Sequence, residues 1–512
     1  MSLINSLYIK FSLNLLRELE QSKKVPFEYQ IKCFNNLIKC GRETAFGKEH
    51  CFEKINSIKE FQKNIPIRDY NKIAPYIARL KNGENYVLWN QKVKWFAKSS
   101  GTSSDKSKFI PITPNSLNIT HYGGFKRMLA SYINTNPKSK LCYGKALTLG
   151  GSVSPDSQNS GYAISGDLSA ILLRNSPSIV ELIRTPKKET ALIDDFGAKI
   201  EKICKESSRQ NVTNFAGVPS WNLILLNKIL EYTGKSNIVE VWPNLELFMH
   251  GGIGFEPYRE IFRKIIPLEN MHYLENYNAS EGYFAFQDDL KINSMLLTVN
   301  NGVFYEFIPM NIIDKVLNME ITEIPTLNEV KVGVNYAIVI STVGGLWRYL
   351  IGDCVKFTSL FPHRIKITGR TQLFINAFGE ELMIENAERA LANACKLCNC
   401  SICDFTVAPV FMEFTSNGTA TKGYHKWAIE FITPPQNISN FEKILDYSVT
   451  EQNSDYEAKR KNSATMEQLK IISLTGGTFY KWMENRNKLG GQNKVPRLYS
   501  NSCFIDELIT IK

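Results

Sequence analysis

Five hydroxyl side chains and one glycine crowd into Ser99, Ser100, Gly101, Thr102, Ser103 and Ser104, and Lys106 and Lys108 follow directly. Such a segment can turn backbone N–H groups and hydroxyls toward one anion, with ammonium groups close by. The same composition also suits a solvated surface loop. It is not a P-loop of the common kind, because the second glycine before the Gly-Lys-Ser/Thr is missing. Three other stretches carry chemistry. In Gly352-Asp353 an acid follows a glycine; at a strand end it could accept two hydroxyl protons from a ribose, or simply close a turn. His250-Gly251-Gly252-Ile253-Gly254 either lets a flat ligand approach the backbone or makes a tight turn. Leu489-Gly490-Gly491-Gln492-Asn493-Lys494 presents a lysine on a glycine-flanked loop.

Cys395, Cys398, Cys400 and Cys403 form two Cys-x-x-Cys pairs, a pattern that suggests zinc on its face. The pairs follow one another with no loop to fold back between them, so reduced structural thiols are the expectation. His121 is expected to be a packed or surface histidine that could line a pocket.

These residues need elements to position them. The 512-residue chain is long enough for two to four structural units. Its 43% hydrophobic and 22% charged residues are ordinary for a globular protein. A net charge of +11 favours anionic partners such as nucleotides, pyrophosphate or acids. The charge is spread rather than blocked, so nucleic acid is not an expected partner. No run approaches the roughly 18 apolar residues of a membrane span, and no small-residue cleavage site follows the amphipathic N-terminus. With scattered cysteines this points to a cytoplasmic protein that does not engage membranes.

Apolar spacing predicts helices over 4–20, 29–40, 116–135, 194–207 and 220–232. Strand-like runs stand at Trp95–Ala97, Leu245–Met249, Tyr273–Leu274, Met295–Val299, Val303–Ile308 and Tyr336–Ser341. The Ser-rich stretch and the loop Glu275–Gly282 therefore sit where strands end, the usual place for ligand loops in α/β sheets. After Arg370 the character changes: a helix, strands at 404–414 and 426–433, and a polar stretch at 446–468. The expected organisation is a large domain over 1–370, a smaller α/β domain over 371–512 and a hinge near 370–372.

Taken in order, these pieces resemble the adenylate-forming superfamily, and within it the acyl-acid amido synthetases that conjugate auxin, jasmonate or benzoates in plants. The resemblance covers nearly the whole chain. Lys108 lies seven residues after Gly101, with Pro111 three further on, which is the amido-synthetase spacing; the acyl-CoA ligase loop is one residue shorter. Tyr277-Asn278-Ala279-Ser280-Glu281 is similar to the second motif. Leu346-Trp347-Arg348-Tyr349-Leu350-Ile351-Gly352-Asp353 matches best, with Trp347 where the family often has tyrosine. Gly369-Arg370 resembles the hinge-proximal pair, and Gln492–Arg497 the C-terminal lysine loop. Asp105 departs from the family's frequent glycine.

The resemblance implies an α/β adenylate-forming fold with a β-barrel-like region in the large domain and a mobile C-terminal α+β domain. It implies ATP and Mg²⁺ as cofactors, a small carboxylic acid as substrate and an amine or amino acid as acceptor. Ser99, Ser100, Gly101, Thr102, Ser103 and Lys108 would cradle phosphates. Gly252 and Tyr277 would border the nucleotide, with Tyr277 against adenine, and Ser280 would approach the α-phosphate. Glu281 would hold Mg²⁺, Asp353 with Arg370 the ribose, and Lys494 the charge that develops as pyrophosphate leaves. Transfer to coenzyme A, and a nucleotide-binding protein without turnover, stand as alternatives.

Overall fold

The computed structural model describes residues 3–99, 108–151, 153–155, 163–371, 375, 377, 380, 382–411, 423–461, 466–489, 494–499 and 501–511. Two compact units emerge. One gathers Met1–Val218, Leu225–Gly252 and Leu268–Ile367; the other gathers Pro219–Ile224, Ile253–Pro267 and Thr368–Lys512.

An 11-stranded sheet dominates the first unit among the described residues. Its first half runs parallel through Arg184–Thr185, Lys145–Thr148, Val212–Gly217, Leu247–His250 and His272–Ala279. Every residue of Leu247–His250 is buried, as expected for a strand covered on both faces. The direction then reverses. Gly282–Phe286 pairs antiparallel with His272–Ala279, and the turn between them is Ser280-Glu281. Met295–Leu297, His363–Arg370, Tyr349–Leu360, Asn335–Thr342 and Val303–Pro309 complete the order.

A second sheet of four strands holds the hairpin Trp95–Ser99 and Lys108–Ile112, flanked by Ile164–Gly166 and Val153–Pro155. Ser99 pairs with Lys108 at one end of the hairpin.

The helices follow their apolar spacing and caps. Leu3–Lys24 and Pro26–Gly41 open the chain, the second with proline in its first turn, where the missing N–H costs nothing. Asp69 caps Tyr70–Lys81 by accepting from the Lys72 N–H. Over 116–135 the structure differs from a plain α-helix. Ser116–His121 is π-helical and the α-helix spans Tyr122–Thr135. Insertions of this kind cluster where a helix must re-aim a side chain.

The core of this unit is aromatic. Trp347 is fully buried, lies parallel to Phe46, meets Phe52 edge-on at 4.7 Å and donates its indole N–H to the Leu88 carbonyl at 3.0 Å. The large residue at this motif position is thus core, and its extra ring area is buried against the N-terminal helices.

In the second unit, Ile384–Leu397 and Ile438–Gln452 pack with the sheet Ser401–Val410, Tyr424–Thr433 and Lys470–Leu474 around a core that includes Leu391, Phe405, Trp427 and Phe441. The polar stretch at 446–468 contains the end of one helix and a further helix, Ser454–Lys461. Asp446 orders it by accepting from the Tyr456 hydroxyl at 2.7 Å and from the Arg460 guanidinium. No described helix is long and apolar enough to cross a membrane.

Candidate active site

The parallel strands end together at Thr148, Gly217, His250 and Ala279, and the residues after them form the edge where a ligand can meet several chain segments. Gly251 and Gly252 follow His250. A Cβ on Gly251 would stand 2.4 Å from the Asn276 carbonyl oxygen, and Gly252 has φ +86°, in the left-handed region. Gly251 is therefore demanded by local chain packing and Gly252 by its backbone conformation: the Asn276 amide donates to the His250 carbonyl at 3.0 Å and ties the two strand ends together.

The strand expected to break after Leu274 continues to Ala279, paired with Gly282–Phe286; Tyr277 lies two residues before its end and is buried. Its ring meets Phe284 edge-on at 4.9 Å and its hydroxyl donates to the Asp353 carboxylate at 2.6 Å. Two motifs separated by 76 residues are thereby joined. Ser280 and Glu281 occupy the turn that follows, at 5% and 9% exposure.

Asp353 is not at a strand end, as its glycine suggests, but inside the twelve-residue strand Tyr349–Leu360. The ladder to Asn335–Thr342 is broken there: Ala337 pairs with Cys354 and Val339 with Leu350. Ile351, Gly352 and Asp353 thus oppose a single residue, Ile338, and Gly352 adopts φ +94°. A bulge of this kind re-aims side chains beside functional sites, and here it releases Asp353 from the ladder so that it meets Tyr277.

The same motif is anchored by Arg348, which is 1% exposed and has φ +43°. Its guanidinium pairs with the fully buried Glu306 carboxylate and donates to the carbonyls of Gln62 and Ile65 at 2.7 Å and of Thr322 at 3.0 Å. Arg348 holds three chain segments together and fixes where Tyr349 begins its strand.

His121, at the junction of the π- and α-helical turns, is buried, with Nδ1 3.3 Å from the Asn278 side-chain oxygen. Its Nε2 is buried without a hydrogen-bond partner among the described residues. Burial pushes its pKa down to about 4, so the ring is neutral near pH 7. Asn278 sits within the Tyr277–Glu281 motif, and its link to His121 could not be read from either segment alone.

Ser100, Gly101, Thr102 and Ser103 lie outside the described residues, as does the side chain of Ser99; Lys108 opens the second hairpin strand, half-buried. Arg370 ends the strand His363–Arg370 and belongs, with Lys494, to the second unit. Lys494 is half-buried and begins residues 494–499, which run beside Ser401–Val410. Val407 donates to the Arg497 carbonyl and Tyr499 to the Val407 carbonyl, each at 2.9 Å. Arg497 is buried against the Asp404 carboxylate and donates to the Phe405 carbonyl at 3.1 Å and to the Tyr258 hydroxyl at 2.7 Å. Arg497 clamps the base of the lysine loop. Its signal in the sequence was only its place three residues after Lys494.

A large sheet with a parallel-to-antiparallel switch, an acid on a bulge beside it and a small C-terminal α+β unit define the adenylate-forming class of fold. The solved 2-hydroxyisobutyryl-CoA ligase in its postadenylation state aligns with a TM-score of 0.58 at 12% identity, over 96% of this chain and 93% of that one. The AtGH3.15 acyl acid amido synthetase in complex with 2,4-DB aligns with a TM-score of 0.78 at 18% identity, over 98% of this chain and 96% of that one.

The chain belongs to the GH3 family: its N-terminal domain signature matches residues 15–271, its central domain 296–370 and its C-terminal domain 385–502. The indole-3-acetic acid-amido synthetase GH3.4 of Arabidopsis thaliana is 22% identical, covering 95% of this chain and 91% of its own length. The jasmonoyl–L-amino acid synthetase JAR6 of Nicotiana attenuata is 23% identical over 85% of each.

Proposed function

We propose that this protein is an ATP-dependent acyl-acid amido synthetase. It activates a small carboxylic acid as the acyl-adenylate, releases pyrophosphate, and passes the acyl group to an amine, with an amino acid as the expected acceptor. The observation that carries this reading is the family match over all three consecutive domains.

In the first step a carboxylate attacks the α-phosphorus of ATP, so two anions must meet. The protein has to neutralise phosphate charge and hold the attack in line; no nucleophilic side chain is required. In this reading Ser99–Ser103 and Lys108 cradle the phosphates, and Ser280 approaches the α-phosphate. Tyr277 borders the adenine with its ring edge while its hydroxyl fixes Asp353, which with Arg370 takes the ribose hydroxyls. Gly252 lets the nucleotide come close to the backbone.

The donors suit Mg²⁺ held by substrate phosphates. Glu281 offers one hard carboxylate, and no group of three His, Cys, Asp or Glu side chains that could cage a metal exists among the described residues. The ion would supply charge neutralisation on the phosphate oxygens. Lys494 stabilises the charge that builds as pyrophosphate departs. Rotation of residues 371–512 about a hinge near Arg370 then withdraws Lys494, and the amine attacks the adenylate carbonyl.

ATP–pyrophosphate exchange across a panel of carboxylic acids tests the first half-reaction, and the product mass with amino acids or coenzyme A as acceptor tests the second. Exchange with an amide product is expected. A thioester as the only product would reassign the protein to the coenzyme A ligases, and absence of exchange with every acid would remove the enzymatic reading.

A further inference from the structure

The helix Ile384–Leu397 ends in a turn whose two closing residues are both cysteines. Cys398 donates its N–H to the Ala394 carbonyl at 3.0 Å, and Asn399 takes φ +47°. Asn399 donates to Lys396 at 3.4 Å, and Cys400 donates to the carbonyl of Cys395 at 3.0 Å. This is the Schellman arrangement, in which the residue after the left-handed position folds back over the last helical turn and its side chain meets the one three positions before the cap. An apolar contact normally fills that place. Here the two residues are Cys395 and Cys400, both buried, and the backbone hydrogen bond between them brings their thiols to the same helix end.

We propose that Cys395 and Cys400 are a thiol-modification site: a dithiol, pre-aligned by the helix terminus, that low-molecular-weight disulfides convert reversibly to an internal disulfide. Bond lengths around the 3.0 Å backbone contact keep the two Cα atoms within about 7 Å, and disulfides span Cα separations of about 4–7 Å. The neighbouring Cys395 thiol holds Cys400 below its ordinary pKa, while the proximity of Cys400 and burial push Cys395 up. Cys400 is therefore the attacking sulfur.

Its thiolate displaces one thiolate from the incoming disulfide, and that leaving group takes up a proton. Cys395 then gives up its proton and attacks the Cys400 sulfur, expelling the second thiol. Two protein thiols are oxidised and one small disulfide is reduced to two thiols. The turn lies at the surface, since Lys396, Leu397 and Asn399 are exposed. The strand it leads into is irregular at its start, with register shifts on both sides of Ile402, so closing the bond need not disturb the regular ladder beyond. Cys398 and Cys403 do not share the backbone closure.

The test is differential alkylation and peptide mapping of the full chain after incubation with oxidised glutathione, with and without later reduction. Expected is joint protection of Cys395 and Cys400 as one cross-linked peptide pair lighter by two hydrogens, restored together by dithiothreitol. Cys398→Ser should leave this unchanged, and Cys395→Ser should leave glutathione on Cys400. In the wild-type chain, full alkylation of both thiols, a stable glutathione adduct on Cys400, or a cross-link to Cys398 or Cys403 would each overturn the proposal. So would protection reversed by a chelator rather than by a reductant, which would mean a metal site.

Discussion

In the proposed mechanism Asp353 and Lys494 carry the heaviest chemical duties, and the two are prepared differently. Asp353 receives the Tyr277 hydroxyl at 2.6 Å, a contact that orients the carboxylate before any ligand arrives. Asp353→Ala is expected to weaken ATP binding on the order of 10–100-fold, the loss of charged hydrogen bonds worth about 1.5–3 kcal/mol, with little change in the exchange rate at saturating ATP. Titration of ATP into the variant checks this; wild-type affinity would remove Asp353 from the ribose role. Tyr277→Phe keeps the ring and should show a smaller loss in the same titration. Lys494→Ala should lower ATP–pyrophosphate exchange on the order of 100-fold or more, as for loss of one charge-stabilising donor at a transition state. Its melting curve should stay close to that of the wild type, because Arg497 holds the base of that loop on the Phe405 carbonyl and the Tyr258 hydroxyl.

At the scale of elements, the Leu346–Asp353 motif is a structural device beside the binding role proposed for it. Trp347 faces the aromatic core, Arg348 is buried on Glu306, and the bulge at Ile351–Asp353 turns Asp353, the proposed ribose ligand, toward Tyr277. Arg348→Met leaves the Glu306 carboxylate without its cation, with the Gln62 amide still donating to it at 2.9 Å, and takes a donor from three carbonyls. It should cost about 3–5 kcal/mol, the range for breaking a buried ion pair by removing one partner, read as a lower denaturant midpoint. Replacing both residues, Arg348→Met with Glu306→Leu, should recover part of that loss. The motif was visible in the sequence as a string, yet its spacing could not reveal which members face inward. Alternation fails at a bulge: Gly352 makes Asp353 look like a strand end, whereas the strand continues to Leu360. The helix over 116–135 was legible from its apolar spacing, but the π-helical turns that place His121 were not, because an inserted residue shifts the face without changing composition.

For the whole molecule, four histidines, His50, His121, His272 and His363, are each held below the ordinary value chiefly by burial. The unfolded chain therefore binds more protons than the folded one as the medium acidifies. The stability these groups contribute is complete above about pH 6.5 and falls as the pH drops toward the folded value of about 4 for His121. That one residue accounts for about 3 kcal/mol across this window, at roughly 1.4 kcal/mol per pKa unit. Denaturant midpoints measured from pH 7 to 4 should decline, and the decline should be shallower in His121→Gln; an identical slope would show that His121 is not buried neutral.

The sequence by itself determined the family, the order of the motifs, several of the strands and helices and the residue types available at each motif. Those depend on local spacing and on short strings that survive without three-dimensional context. Only the tertiary structure decided that Asp353 meets Tyr277, that Arg348 turns inward to Glu306, that His121 reaches Asn278, and that Cys395 and Cys400 close one helix end. The first three are contacts between segments 42 to 157 residues apart, and the last depends on a single left-handed residue. Spacing along the chain says nothing of which side chains long-range packing will bring face to face.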